Sequence, residues 1–123
     1  MLSWSGQPST TTDTLQFFVS GMPSNVVCLF FQGGHALNGV QGLPFGDGIR
    51  CAGSPMRRLG TSPASAAGAA LYPAAGDLPI SIKGQIAPSG ATVVYQAWYR
   101  NPQSFCTAST TNLSNALVVA WTP

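Results

Sequence analysis

Most apolar stretches of this chain alternate with a period of two, which marks strands that have one covered and one wet face. In "ATVVYQAWYRN", residues 91 to 101, Tyr95, Ala97 and Tyr99 fall on one face and Gln96, Trp98 and Arg100 on the other. In "PISIKGQIA", residues 79 to 87, Ile80, Ile82 and Ile86 oppose Ser81, Lys83 and Gln85, and the alternation predicts another strand. "TLQFFVSGMP" (14 to 23), "VVCLFFQG" (26 to 33) and "NALVVAWTP" (115 to 123) are β-branched and aromatic runs bounded by Gly, Pro, Asn and Ser. With "LSWSG", "GIRCAG", "MRRLG" and "AALYP" added, the chain carries about eight short strands.

Helix signals are nearly absent. The alanine-rich "SPASAAGAALYPAAGD", residues 62 to 77, is broken by Gly68 and Pro73 and has no amphipathic period, so it reads as a loop with at most one helical turn. The glycine-rich 33 to 53 reads as a structured surface loop ending in a strand. Many short strands separated by turn signals predict an all-β fold, a single antiparallel β-sandwich of jelly-roll or immunoglobulin-like type. Residues 1 to 13 divide off as an N-terminal strand and a Ser/Thr-rich spacer, exchangeable between subunits, and 14 to 123 form the sandwich domain.

Charge then narrows the function. Only 7% of the 123 residues are charged and none is glutamate. Asp13, Asp47, Asp77 and the single His35 are scant material for acid–base chemistry, so the chain reads as no enzyme and as needing no cofactor. Arg50, Arg57, Arg58, Lys83 and Arg100 are scattered and leave a net charge of +2, no stripe for a phosphate backbone, so no nucleic-acid partner is expected. The longest apolar run, "VVCLFF" at 26 to 31, falls far short of the roughly 20 residues that span a bilayer, so no membrane insertion is expected. "MLSWSGQPSTTTD" lacks both a basic and an apolar leader region, so an exported protein would be represented here by its mature form or a fragment.

Candidate chemistry centres on "YQAWYRNPQSFC", residues 95 to 106. Trp98, Tyr99 and, from the first strand, Trp4 are candidate ligand or interface aromatics, but a sugar site also needs converging carboxylates or amides and only Gln96 is at hand. Architecture is the favoured reading, with one face in the core and Arg100 lying along a cross-strand ladder. In "PFGDGIRC" a lone Asp47 falls short of the 6 to 8 oxygens calcium takes, and it reads as a turn residue bonded to backbone amides or to Arg50. Arg57 and Arg58 are adjacent, hence on opposite strand faces, with one of them set against Asp47 or Asp77. No GxSxG elbow accompanies His35, and "NLS" at 112 to 114 is a glycosylation sequon that implies a surface position.

Cys28, Cys51 and Cys106 have neither CxxC spacing nor a nearby histidine, so no metal site is expected. A Cys51–Cys106 disulfide would pin the glycine-rich loop to the strand exit and contribute about 4 kcal/mol by the chain-entropy model, leaving Cys28 as a small buried hydrophobe. Pairing of Cys28 with Cys51 is the rival, and spacing does not decide between them.

Taken in order, "LQFFVSGMPSNVVCLFFQG", "LPFGDGIRCAGSPMRRLG", "YPAAGDLPISIKG", "YQAWYRNPQSFC" and "TNLSNALVVAWTP" resemble a C-terminal β-domain of large secreted proteins from planctomycetes and myxobacteria-like bacteria, over Leu15 to Pro123. The resemblance implies export, a β-sandwich and a terminal module that attaches, assembles or displays, with no assigned activity and no catalytic residues to carry over. Such domains usually end much longer chains, whereas here little more than "MLSWSGQPSTTTD" precedes the module, which implies either an excised domain or a small protein that works by association with copies of itself. Low charge also leaves little repulsion between sheet edges. The expectation is therefore a secreted, non-enzymatic structural or assembly module, a homo-oligomer or self-associating filament or surface-layer subunit built by β-strand addition. The alternative is a module that binds carbohydrate or a cell-surface glycan.

Overall fold

The structure is a computed structural model and describes residues 1–101 and 110–123. Its strands are β1 (Leu2–Ser5), β2 (Gln16–Val19), β3 (Val27–Ala36), β4 (Leu43–Phe45), β5 (Gly48–Arg50), β6 (Ala52–Pro63), β7 (Ala70–Tyr72), β8 (Thr92–Arg100), β9 (Thr111–Leu113) and β10 (Leu117–Ala120). One short helix, α1 (Ile80–Lys83), precedes β8. The protein is all-β, an antiparallel sandwich of a three-stranded sheet, β1, β2, β7, against a larger one in the order β10, β8, β3, β6. β9 also pairs with β8, continuing the edge that β10 begins.

Between the sheets lies the main core, and the period-two pattern supplies it. Cys28 and Phe30 of β3, Val93, Tyr95 and Ala97 of β8, Phe17 and Val19 of β2 and Tyr72 of β7 all point into it and are buried. Aromatic rings bridge the two layers, with Phe17 4.8 Å from Tyr95 and Phe30 5.1 Å from Tyr72 between centroids. The Trp121 indole N–H donates to the Tyr95 hydroxyl at 2.8 Å, so the polar tips of two buried aromatics satisfy each other.

Three expectations are corrected. Residues 80–83 are a helical turn, not a strand: Ile80 is fully buried, Ile82 is 59% exposed and Ile86 is half-buried. Pro79 fixes the entry φ at −56°, and the Ser81 N–H donates to Asp13 Oδ2 at 2.7 Å, so a partner distant in sequence caps the turn and overrides β-branched propensity. Ser62 and Pro63, expected in a loop, belong to β6, while the strand expected in "AALYP" is β7 and the rest of 62–77 holds no helical turn. The glycine-rich 33–53 is mostly strand. β3 extends to Ala36, and β4 and β5 form a hairpin whose two-residue loop puts Gly46 at φ 61°, as a type II′ turn requires of its first position.

Residues 1–13 belong to the same body. β1 pairs with β2 of its own chain, and Leu2 is buried in the main core. The spacer runs beside the C-terminal residues, with Thr10 N–H donating to the Thr122 carbonyl and Thr122 N–H to that of Pro8, both at 2.9 Å.

Candidate functional site

The larger sheet has a second apolar face, pointing away from the small sheet. Phe31, Ala52, Val94 and Leu113 are buried there, with Trp98 packed against them. A sheet apolar on both faces must be covered on both, and the β4–β5 hairpin covers part of the outer one.

Gln96 fastens the hairpin to the sheet. It is 1% exposed, and its Oε1 accepts from Cys51 N–H at 2.7 Å and Ala52 N–H at 3.2 Å. Its Nε2 donates to the carbonyls of Ile49 at 2.9 Å and Ser114 at 2.8 Å. The amide is saturated, so the one polar group that sequence offered a sugar is structural. At the hairpin tip the Asp47 N–H donates to the Thr111 carbonyl at 3.0 Å. Gly48 comes so close to β9 that an added Cβ would lie 2.4 Å from Asn112 Oδ1 and 3.0 Å from Leu113 N, so a larger residue would have to displace the Asn112 side chain.

Hairpin and sheet enclose a cavity of about 280 Å³. Its floor is a cross-strand row in which Trp98 stands between Leu29 and Leu113, with Phe31 beside it. Phe45 of the hairpin and Met56 of β6 form the partly exposed rim. Arg50, Arg57 and Arg58 complete the lining, so three of the five cations of the chain converge here. No carboxylate is among the described lining residues.

The arginines are held differently. Arg50 is half-buried, its guanidinium carbon 5.5 Å from the Phe45 ring centroid, a cation–π contact. Arg57 donates to Gln85 Oε1 at 2.8 Å. Arg58 stands opposite Phe31, where the β3–β6 register slips: Phe30 faces Gly60 and Phe31 faces Arg58, leaving Leu59 bulged. Expected on opposite faces, Arg57 and Arg58 both reach the cavity from this bulged edge strand. Two buried donors of the lining, Arg50 Nε and Trp98 Nε1, have no hydrogen-bond partner.

Of the aromatics singled out in sequence, only Trp98 lies here. Tyr99 faces the main core, where burial and then the nearby Cys28 raise its pKa, and Trp4 lies in the other sheet. The aromatic neighbours of Trp98 are instead Phe31 and Phe45, which sequence reasoning missed. The "FGDG" turn flanked by apolar residues signalled the hairpin and hence Phe45; nothing local signalled the meeting with Arg57 and Arg58. Asp47 takes its expected place in the turn, while Arg50 stacks on Phe45. Asn112 of the sequon is half-buried, its Oδ1 accepting from Leu113 N–H at 2.8 Å.

Cys28 and Cys51 are free thiols, so the pairing between them is not formed. Cys106 lies outside the described residues, and the expected Cys51–Cys106 disulfide is not among the bonds of the described chain. Cys28 is a small buried hydrophobe whose pKa burial pushes from 9.0 up to about 12. His35 Nδ1 donates to the Ser54 carbonyl at 2.6 Å. Among the described residues no three His, Cys, Asp or Glu side chains group as metal ligands, and no helix is long and apolar enough to cross a membrane. Comparison with protein-family models, with curated proteins and with solved structures found no match.

Proposed function

We propose that the protein is a non-enzymatic binding module that holds a sugar ring of an extracellular or cell-surface glycan in the cavity between hairpin and sheet. The observation carrying this reading is the cavity wall, where Trp98, Phe31 and Phe45 supply flat apolar surface and the arginines supply donors. A sugar has one face of C–H groups that stacks on such rings and a rim of oxygens that accepts from such donors. About 280 Å³ lies near the lower end of ligand-pocket sizes, suited to one or two rings of a longer chain. The described lining contains no His, Cys, Asp or Glu, and arginine stays protonated, so no lining side chain is suited to general acid–base catalysis.

Tryptophan fluorescence tests it directly. Trp121 is buried in the main core and Trp4 lies in the small sheet, so a change that Trp98→Phe abolishes reports on this cavity. A panel of soluble polysaccharides should contain at least one that shifts or quenches the signal of the native protein and leaves that of Trp98→Phe unchanged. A silent panel, or a response that survives the substitution, rejects the reading.

Self-association by exchange of β1 is the second reading. It is favoured by the position of β1 as an edge strand hydrogen-bonded in its sheet to β2 alone, on a spacer long enough to act as a hinge.

A further inference from the structure

We infer that the glycan is acidic, with a uronic-acid residue seated in the cavity and its carboxylate held by Arg50 and Arg58. The inference rests on the binding reading above and adds the chemical class of the ligand.

Its first ground is the sign of the polar groups in the lining. The polar side chains there are Arg50, Arg57, Arg58 and Trp98, all of which can only donate. The complement of this wall is therefore a group rich in acceptors. A carboxylate offers two oxygens and no donor, and its plane matches the guanidinium fork.

Charge is the second ground. Three of five cations meet in a space with no carboxylate among its described lining residues, in a chain with only three aspartates. Asp13, which could have offset them, is spent elsewhere: it accepts from Leu15 and Ser81 N–H groups. Asp77 likewise accepts from the Ala74 N–H, and Asp47, at the hairpin tip, is not among the lining residues. A neutral sugar would stack on Trp98 but bring no opposite charge to these arginines.

The third ground is preorganisation. The Phe45 ring and the Gln96-anchored hairpin position Arg50, and Gln85 holds Arg57 at the rim, which reduces the rotamer freedom a ligand must freeze out. The Arg58 backbone is set opposite Phe31 by the strand register, and its exposed side chain lines the same space.

Calorimetric titration with an oligogalacturonate, against an uncharged cello-oligosaccharide of the same length, tests the inference. The acidic chain should bind more tightly, with a preference that shrinks as salt is raised. Arg58→Gln should weaken it by about tenfold or more, as should Arg50→Lys, which keeps the charge and loses the planar fork. Lys83→Gln, which removes one charge away from the cavity, should leave the affinity within about twofold. Arg58 is exposed, so its variant tests the claim even if Arg50→Lys impairs folding. Equal binding of both chains, or an equal loss in Lys83→Gln, overturns the acidic assignment and leaves the binding module standing. No binding of either chain by the folded protein overturns both.

Discussion

Gln96 shows how far a residue's meaning depends on partners distant in sequence. Its neighbours Tyr95 and Ala97 point into the main core, as alternation requires, so Gln96 is directed to the outer face by backbone geometry alone. That it is saturated there follows from Ile49, Cys51, Ala52 and Ser114. Gln96→Leu keeps the bulk and strands two backbone donors and two acceptors, so we expect a loss on the order of 3 kcal/mol in denaturant-derived stability. A loss under about 0.5 kcal/mol, typical of ordinary surface changes, would mean that the hairpin does not depend on this bracket.

At the scale of elements, residues 79–87 and the N-terminal segment pull against sequence reading in opposite ways. The isoleucine alternation resembles a strand, but only Ile80 is wanted in the core, and Asp13 draws the backbone into a capped turn. The Ser/Thr-rich spacer looks loose, yet Asp13, Thr10 and Ser9 all bond across to other segments. Exchange of β1 therefore depends on whether the spacer can still close on its own body. Excising Thr10 to Thr12 leaves Leu2–Ser5 intact while shortening the crossing, so gel filtration should show a larger dimer fraction than the native chain gives. A shortened chain that stays folded and monomeric removes the exchange reading.

For the whole molecule, stability at alkaline pH follows from what the core buries. Cys28 ionises at 9.0 when unfolded but is held up to about 12 by burial, and burial raises Tyr72, Tyr95 and Tyr99 above their ordinary 10.0. Through that window the unfolded chain sheds protons that the folded chain retains, so stability from these groups is complete below 9.0 and declines as pH rises. The urea midpoint should fall across this range, and Cys28→Ala should remove the earliest part of the fall. A flat midpoint in the native protein would contradict the burial of these groups.

The sequence by itself determined the fold class, the two faces of β8 and the poverty of acid–base groups. All of these depend on local backbone period or on composition, which a chain carries without reference to distant partners. Tertiary structure decided the rest. It made a helical turn of Ile80–Lys83, spent Gln96 on the hairpin, placed Trp4 in a different sheet from Trp98, and collected Arg50, Arg57 and Arg58 around Phe31 and Phe45. Each outcome turns on pairing between segments tens of residues apart, on a bulge at Leu59 and on a hairpin folding back over a sheet, and such register is set by the packing of the whole.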